Sequence, residues 1–300
     1  MSTESDQSSD VIAYRNLVKR FYAAGGEVTA LAGVSLEVRR HEFISVVGPS
    51  GCGKSTLLRL GAGLDFATEG ETYFRGRPVT DINTDVGFVT QDSNLFPWMT
   101  LQQNVEFPLR VRGCNAAERR ERAGEYLSMV GLEGFEKHYP HQLSGGMQKR
   151  GSIARTLVYE PEVILMDEPF GPLDAQTRMV LQADLLRVSS MSRQTILFIT
   201  HDLNEAVALS DRVVVMTSRP GRVKGVFDIP LSRPRDVFQI HRQQGFAETY
   251  SEIWECFRAE VIPPSEQPPA AEPESPSDPG RAADEEPAAG IAANVAGRPE

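Results

Sequence analysis

The 300-residue chain has few cysteines: Cys52, Cys114 and Cys256, widely separated. Thiols this sparse exclude a disulfide framework or a cysteine-built zinc site and predict reduced side chains. No stretch approaches the roughly 18 uninterrupted apolar residues that a spanning helix needs, so no membrane span is expected. Internal repeats at the period of a solenoid or propeller are missing too. The opening MSTESDQSSD is acidic and polar, unlike a secretory signal or an Arg-rich transit peptide, and it predicts a chain kept on the cytosolic side. A basic surplus is also absent. The net charge is -10, of which residues 1–10 carry -3 and residues 263–300 carry -6. The body, 11–262, is thus nearly neutral, lacks the footprint of a nucleic-acid binder, and no nucleic-acid partner is expected.

What remains is an ordinary globular composition, 40% hydrophobic and 24% charged. Residues 263–300 are rich in Pro, Ala, Glu and Ser without aromatics, and cannot bury enough apolar area to offset their ordering entropy. That predicts a disordered tail, a disordered N-terminus over 1–10, and one folded domain over 11–262. Within it VIAYRNLV and VSLEV read as half-buried strands. FISVVG (43–48), VILMD (163–167), TILFIT (195–200) and RVVVMT (212–217) are β-branched runs suited to strands buried on both faces. AAERRERAGEYLSMV (116–130) and NEAVALS (204–210) read as helices, the first with Glu118 and Arg122 one turn apart on an exposed face. Strands alternating with helices predict an α/β domain with a mainly parallel sheet. The mostly helical stretch from about 93 to 157 interrupts that alternation and is expected to form an inserted helical subdomain.

GPSGCGKST satisfies G-x-x-x-x-G-K-[ST], with Gly48, Gly53, Lys54 and Ser55 in register and a strand before it and a helix after it. Glycines there let successive backbone N–H groups turn toward phosphate oxygens, and the helix N-terminus adds positive potential. The whole loop, Gly48, Pro49, Ser50, Gly51, Cys52, Gly53, Lys54, Ser55 and Thr56, is expected to hold a nucleoside triphosphate. Lys54 reaches its outer phosphates and Ser55 binds Mg²⁺. In VILMDEPF, Asp167 ends a buried run, where open α/β sheets bind ligands, and is expected to hold the metal. Glu168 follows, with the natural role of positioning or deprotonating the attacking water.

A second glycine-rich loop, LSGGMQKR at Leu143–Arg150, has Ser144 as N-cap, two glycines and a helical run. A bare Ser-Gly-Gly is either a capped helix or an anion site. The order of motifs separates these. P-loop, Gln91, LSGGM, Asp-Glu, Leu173-Asp174 and His201 form the series of the ATP-binding cassette (ABC) ATPases, which residues 11 to 260 resemble. The resemblance implies a P-loop NTPase (RecA-like) core with an antiparallel β subdomain and an inserted helical subdomain. It implies ATP and Mg²⁺ as cofactors, and a dimer, either of two copies or with a second ATPase subunit. In that dimer Ser144, Gly145, Gly146, Met147 and Gln148 act in trans on the partner's nucleotide. Gln91 matches the Q-loop glutamine, which contacts Mg²⁺ and water. Asp174 matches the D-loop aspartate, and His201 the switch histidine that contacts the γ-phosphate. Phe21 matches the aromatic that stacks on adenine, with the adjacent Tyr22 as the alternative.

Lys54 and Ser144 stand 90 positions apart, too close for the coiled coils of DNA-repair and chromosome-organising relatives. A single cassette without a span resembles the detached ATPase subunit of a bacterial transporter. DEPFGPLD with Phe170, NLFPWMTLQQNV and LSGGMQKR are most similar to the nitrate, sulfonate and taurine importer group. About 45 residues between the last expected core strand and the tail are too few for the regulatory β-barrel of sugar-importer subunits. The resemblance implies a peripheral subunit on the cytoplasmic face of the inner membrane, partnered by a permease and, indirectly, by an external solute-binding protein. Phe96, Pro97, Trp98 and Met99 are the expected permease contact, with packing inside the helical subdomain as the other reading. The alternative function is a cassette that powers lipid trafficking or a regulatory conformational switch.

Overall fold

A computed structural model describes residues 10–23, 26–171, 173–192 and 194–262. The tail expected over 263–300 and most of the expected N-terminal extension lie outside the described residues.

The apolar runs become the centre of a six-stranded sheet. Its strands are β3 (Phe43–Val47), β6 (Val86–Val89), β7 (Val163–Asp167), β8 (Thr195–Thr200), β9 (Arg212–Met216) and β10 (Val223–Asp228), in the order β10-β9-β3-β8-β7-β6. Every pairing is parallel except β10 on β9. All residues of β3 and β8 are buried, as strands covered on both faces require. Edge strand β10, a strand additional to the four expected runs, alternates half-buried with exposed residues. A second, antiparallel sheet runs β2-β1-β4-β5. It comprises β1 (Asp10–Ala23), β2 (Gly26–Arg39), β4 (Glu69–Phe74) and β5 (Arg77–Pro78).

Side-chain alternation splits the core across the large sheet. Ile44 and Val46 face the antiparallel sheet and α1 (Lys54–Gly61). Phe43, Ile164 and Phe198 face α5 (Ala175–Ser192), and Val47, Val213 and Val215 face α6 (Leu203–Leu209) and α7 (Phe246–Val261). Phe170 is fully buried in this second layer with its ring 5.7 Å from Phe198.

Between β6 and β7 lie α2 (Leu101–Val111), α3 (Ala116–Met129) and α4 (Gly145–Leu157), around a separate apolar cluster of Leu101, Val105, Leu127 and Ala154. Each helix starts on a local signal. Thr100 and Gln103 form a capping box on α2, Asn115 caps α3, and Ser144 accepts from the Met147 amide at 3.3 Å to cap α4. Arg122 departs from the simple exposed pair expected with Glu118. It lies 3.9 Å from Glu118 but turns to the Val158 carbonyl at 2.6 Å and the Glu160 carboxylate at 3.0 Å, tying α3 to the end of α4.

The loop before α2 is latched by one side chain. Asn104, fully buried, accepts from the Phe96 amide at 2.7 Å, and its amide nitrogen reaches the Phe96, Met99 and Thr100 carbonyls at 3.0–3.2 Å. Asn104→Ala removes all four side-chain bonds, although the Phe96 and Thr100 carbonyls keep the Met99 and residue-104 amides as donors. It is expected to lower unfolding free energy by about 1–3 kcal/mol in urea denaturation.

Candidate nucleotide site

Parallel register gathers the motifs. Val47 pairs with Thr200, Asp167 with Ile199, and Val89 with Met166, so the segments after β3, β6, β7 and β8 emerge on one edge of the sheet. Those segments carry the P-loop, Gln91, Glu168 and His201. This is the carboxyl edge, where open α/β sheets take ligands.

A cavity of about 300 Å³ opens there, lined by Phe21, Val28, Ala30, Ser50, Gly51, Gly53, Lys54, Ser55, Thr56, Glu168 and Arg219. Gly53 has φ 99°, and a Cβ on it would stand 2.6 Å from the Leu31 side chain, so only glycine fits the turn into α1. Lys54 is 5% exposed and its ammonium donates to the Gly48 carbonyl at 2.8 Å and to that of Pro49 at 3.2 Å. The same ammonium lies 3.9 Å from the Glu168 carboxylate. Cys52 instead points into the core, where burial pushes its thiol up, and its amide donates to the Pro49 carbonyl at 3.3 Å.

Ser55 donates to Asp167 at 2.9 Å. Burial pushes the Asp167 carboxyl up, a shift opposed chiefly by that hydrogen bond. No three His, Cys, Asp or Glu side chains converge to hold a metal among the described residues. A hydroxyl and one under-compensated carboxylate fit a hard cation that completes its shell with water and substrate phosphate, as Mg²⁺ does.

Glu168 has φ 42°, a left-handed conformation that is uncommon for a residue with a side chain. Its amide donates to the Ile199 carbonyl at 3.0 Å and its carboxylate meets the His201 Nδ1 at 3.1 Å. The strained backbone thus turns one carboxylate toward both Lys54 and His201. Gln91 is exposed, and its amide nitrogen lies 3.5 Å from where a Cβ on Gly171 would stand, beside the Glu168 turn.

The second glycine loop is elsewhere. None of residues 143–148 lines the P-loop cavity. Ser144 and Gly145 are exposed at the start of α4. A Cβ on Gly146 would stand 2.6 Å from the Thr177 side chain. The Thr177 amide donates to Asp174, which caps α5 at 3.0 Å. Gln148 turns inward: it donates to the Pro140 and Leu143 carbonyls and accepts from Ser93 at 3.1 Å.

Two residues of this region escaped the sequence reading. Arg219 sits in the turn between β9 and β10, with its Nε 3.3 Å from the Gly51 carbonyl. In sequence SRPG reads only as a turn; the pairing of β9 beside β3 brings it to the P-loop. Lys149, 2% exposed, donates from its ammonium to the Thr90 carbonyl and, at 3.0 Å, to that of Gln91. Burial pulls this ammonium down to about 8, against the pull of Asp92 and Asp167. For Phe21 and Tyr22, Phe21 lines the cavity and carries the Lys19 ammonium 5.0 Å over its ring, whereas Tyr22 is 73% exposed and does not.

A larger cleft of about 650 Å³ runs between the sheet and the helical insertion, lined by Ile82, Val86, Phe88, Phe96, Phe107 and Tyr159 among others. Phe96 packs on Phe107 with ring centroids 4.8 Å apart, while the neighbouring Trp98 is 70% exposed.

Lys54→Met removes the ammonium that anchors the P-loop carbonyls and faces incoming phosphate. A lost charged hydrogen bond is worth about 1.5–3 kcal/mol, so ATP affinity is expected to fall about 10- to 100-fold, read by titration with a fluorescent ATP analogue.

Known proteins carry the same framework. The family model for the ABC transporter domain matches residues 31–171. An uncharacterized ABC transporter ATP-binding protein of Methanocaldococcus jannaschii is 49% identical over 257 residues, 86% of this chain and 95% of the relative. A nitrate import ATP-binding protein of Synechocystis sp. is 43% identical over 81% of this chain and 93% of its own length. An aliphatic sulfonates import ATP-binding protein of Bacillus anthracis is 40% identical over 75% and 88%. Among solved structures, a dimeric post-hydrolysis ATP-binding cassette bound to ADP and Pi superposes with a TM-score of 0.66 at 35% identity, over 73% of this chain and 98% of that one. The chain belongs to the ABC transporter ATP-binding family and is an ATP hydrolase of that type.

Proposed function

We propose that this chain is the energising subunit of an importer for a small anion of the nitrate or sulfonate class, working as a head-to-tail dimer on a membrane permease. The observation that carries the dimer is that the P-loop cavity has no lining residue from 143–148, while the capped start of α4 is exposed. Two incomplete halves in one chain become two complete sites when a second chain is related by a two-fold axis. The dimeric cassette among the solved structures and the two import relatives support this reading.

In such a site Phe21 stacks on adenine and the P-loop amides with Lys54 and Thr56 hold the phosphates. Arg219 adds positive charge on the same wall. Ser55, Asp167 and Gln91 hold Mg²⁺, which when bound neutralises charge developing on the phosphoryl group. Glu168 orients the attacking water and accepts its proton, and His201 holds the Glu168 carboxylate in place. The partner's Ser144 loop aims its free amides at the γ-phosphate, so closure completes the electrostatic cradle. Asp174, which shapes the turn against Gly146 through Thr177, keeps the two sites in step. The cleft beside Phe96 and Trp98 receives the permease, which puts the subunit on the cytoplasmic face of the membrane. An external solute-binding protein then delivers the anion to that permease.

Glu168→Gln is expected to keep ATP binding, slow turnover about 10²- to 10⁴-fold, and trap a dimer visible by size-exclusion chromatography in saturating ATP. A monomer under those conditions with the permease present overturns the shared site. A mixing experiment tests the composite geometry directly. Lys54→Met and Ser144→Arg chains, each inactive alone, are expected to regain hydrolysis when combined, because a mixed dimer holds one intact site. No regain means that each chain hydrolyses alone.

A further inference from the structure

The segment Thr90–Asn94, which carries Gln91, belongs to no strand or helix, and its backbone hangs from α4. Lys149 donates to the carbonyls of Thr90 and Gln91, and Arg155 donates to those of Ser93 at 3.3 Å and Asn94 at 2.8 Å. The Ser93 hydroxyl adds a bond to Gln148 at 3.1 Å. Of these side chains Lys149 is the most deeply placed, on the second turn of the helix that Ser144 begins. Holding an ammonium in the interior is costly unless hydrogen bonds offset its lost hydration. An apolar residue would fill the same volume without that cost.

We propose that Lys149 is a positioning residue. Its ammonium locks the backbone at Gln91 to the helix that serves the partner's nucleotide, so that displacement of α4 in one site moves Gln91 in the other. The two carbonyls it holds belong to the peptide units on either side of the Gln91 Cα, which fixes the direction in which the Gln91 side chain leaves the backbone toward Gly171 and the Glu168 turn. This rests on the roles given above to Gln91 and Ser144.

The test is a double-mutant cycle on the full chain, with kcat and KM for ATP measured for wild type, Gln91→Ala, Lys149→Met and the double variant. Misplacing a positioning group by an ångström costs up to about 100-fold in rate. Lys149→Met is therefore expected to lower kcat about 10-fold or more while KM stays within about two-fold. The double variant is expected to be no slower than Gln91→Ala alone, because the lysine acts only through that glutamine. Multiplying losses overturn the proposal, since a residue that merely supports the fold slows both backgrounds equally. An unchanged rate in Gln91→Ala overturns the role of Gln91 itself, a separate result. If Lys149→Met does not fold, Lys149→Gln, which retains a donor, takes its place in the cycle. Activity that then tracks only the folded fraction also overturns the proposal.

Discussion

The in-register parallel pairing of β3, β7 and β8 is the constraint on which the site depends. A one-residue slip in any of them would exchange the faces of its side chains and displace its C-terminal loop along the strand axis by about 3.3 Å. Either change separates Ser55 from Asp167 or Glu168 from His201, contacts of 2.9 and 3.1 Å. The register is held because both faces of these strands are buried. Ile44 and Val46 fill the layer toward α1, while Ile164 and Phe198 fill the layer toward α5. Catalytic geometry is in this sense a product of core packing.

Charge is the second determinant. Lys54, Asp167 and Glu168 are brought together at the sheet edge, the ammonium buried and the two carboxylates half-buried. Asp167 is pushed up by its own burial, and Lys54 is turned back on carbonyls of its own loop. Buried charges with unspent hydrogen-bonding capacity are poised for an anionic substrate and a cation that arrive together. The left-handed backbone at Glu168 belongs to the same economy of position, since strain at one residue sets the direction of the carboxylate.

The helical insertion connects this edge to the rest of the molecule. Its helix α4 starts at the exposed Ser144, carries Lys149 and Arg155 beneath the Gln91 loop, and ends in the apolar cluster shared with α2. The Gln91 loop in turn leads into the Phe96–Thr100 segment held by Asn104, next to the cleft with the exposed Trp98. Hydrogen bonds thus tie the insertion to the Gln91 loop at one end and to the Phe96–Thr100 segment at the other.

Much of this was legible in the sequence because local chemistry dictates it. The P-loop glycines, the Ser144 cap, and the doubly buried runs ending in Asp167 and Thr200 each state their conformation within a few residues, and motif order identified the family. Arg219 and Lys149 were not legible. SRPG specifies a turn whatever lies beside it, and Lys149 reads as one more charge on a helix until α4 packs over the Gln91 loop. Likewise the choice between Phe21 and Tyr22 depends on which side of β1 faces the cavity, and the inward turn of Gln148 on a Ser93 hydroxyl 55 positions away. The sequence by itself determined the elements, their caps and the phosphate loop, since these depend on neighbours along the chain. Only the tertiary structure decided which distant side chains meet at the sheet edge, because burial and hydrogen-bond partnership are properties of the packed whole.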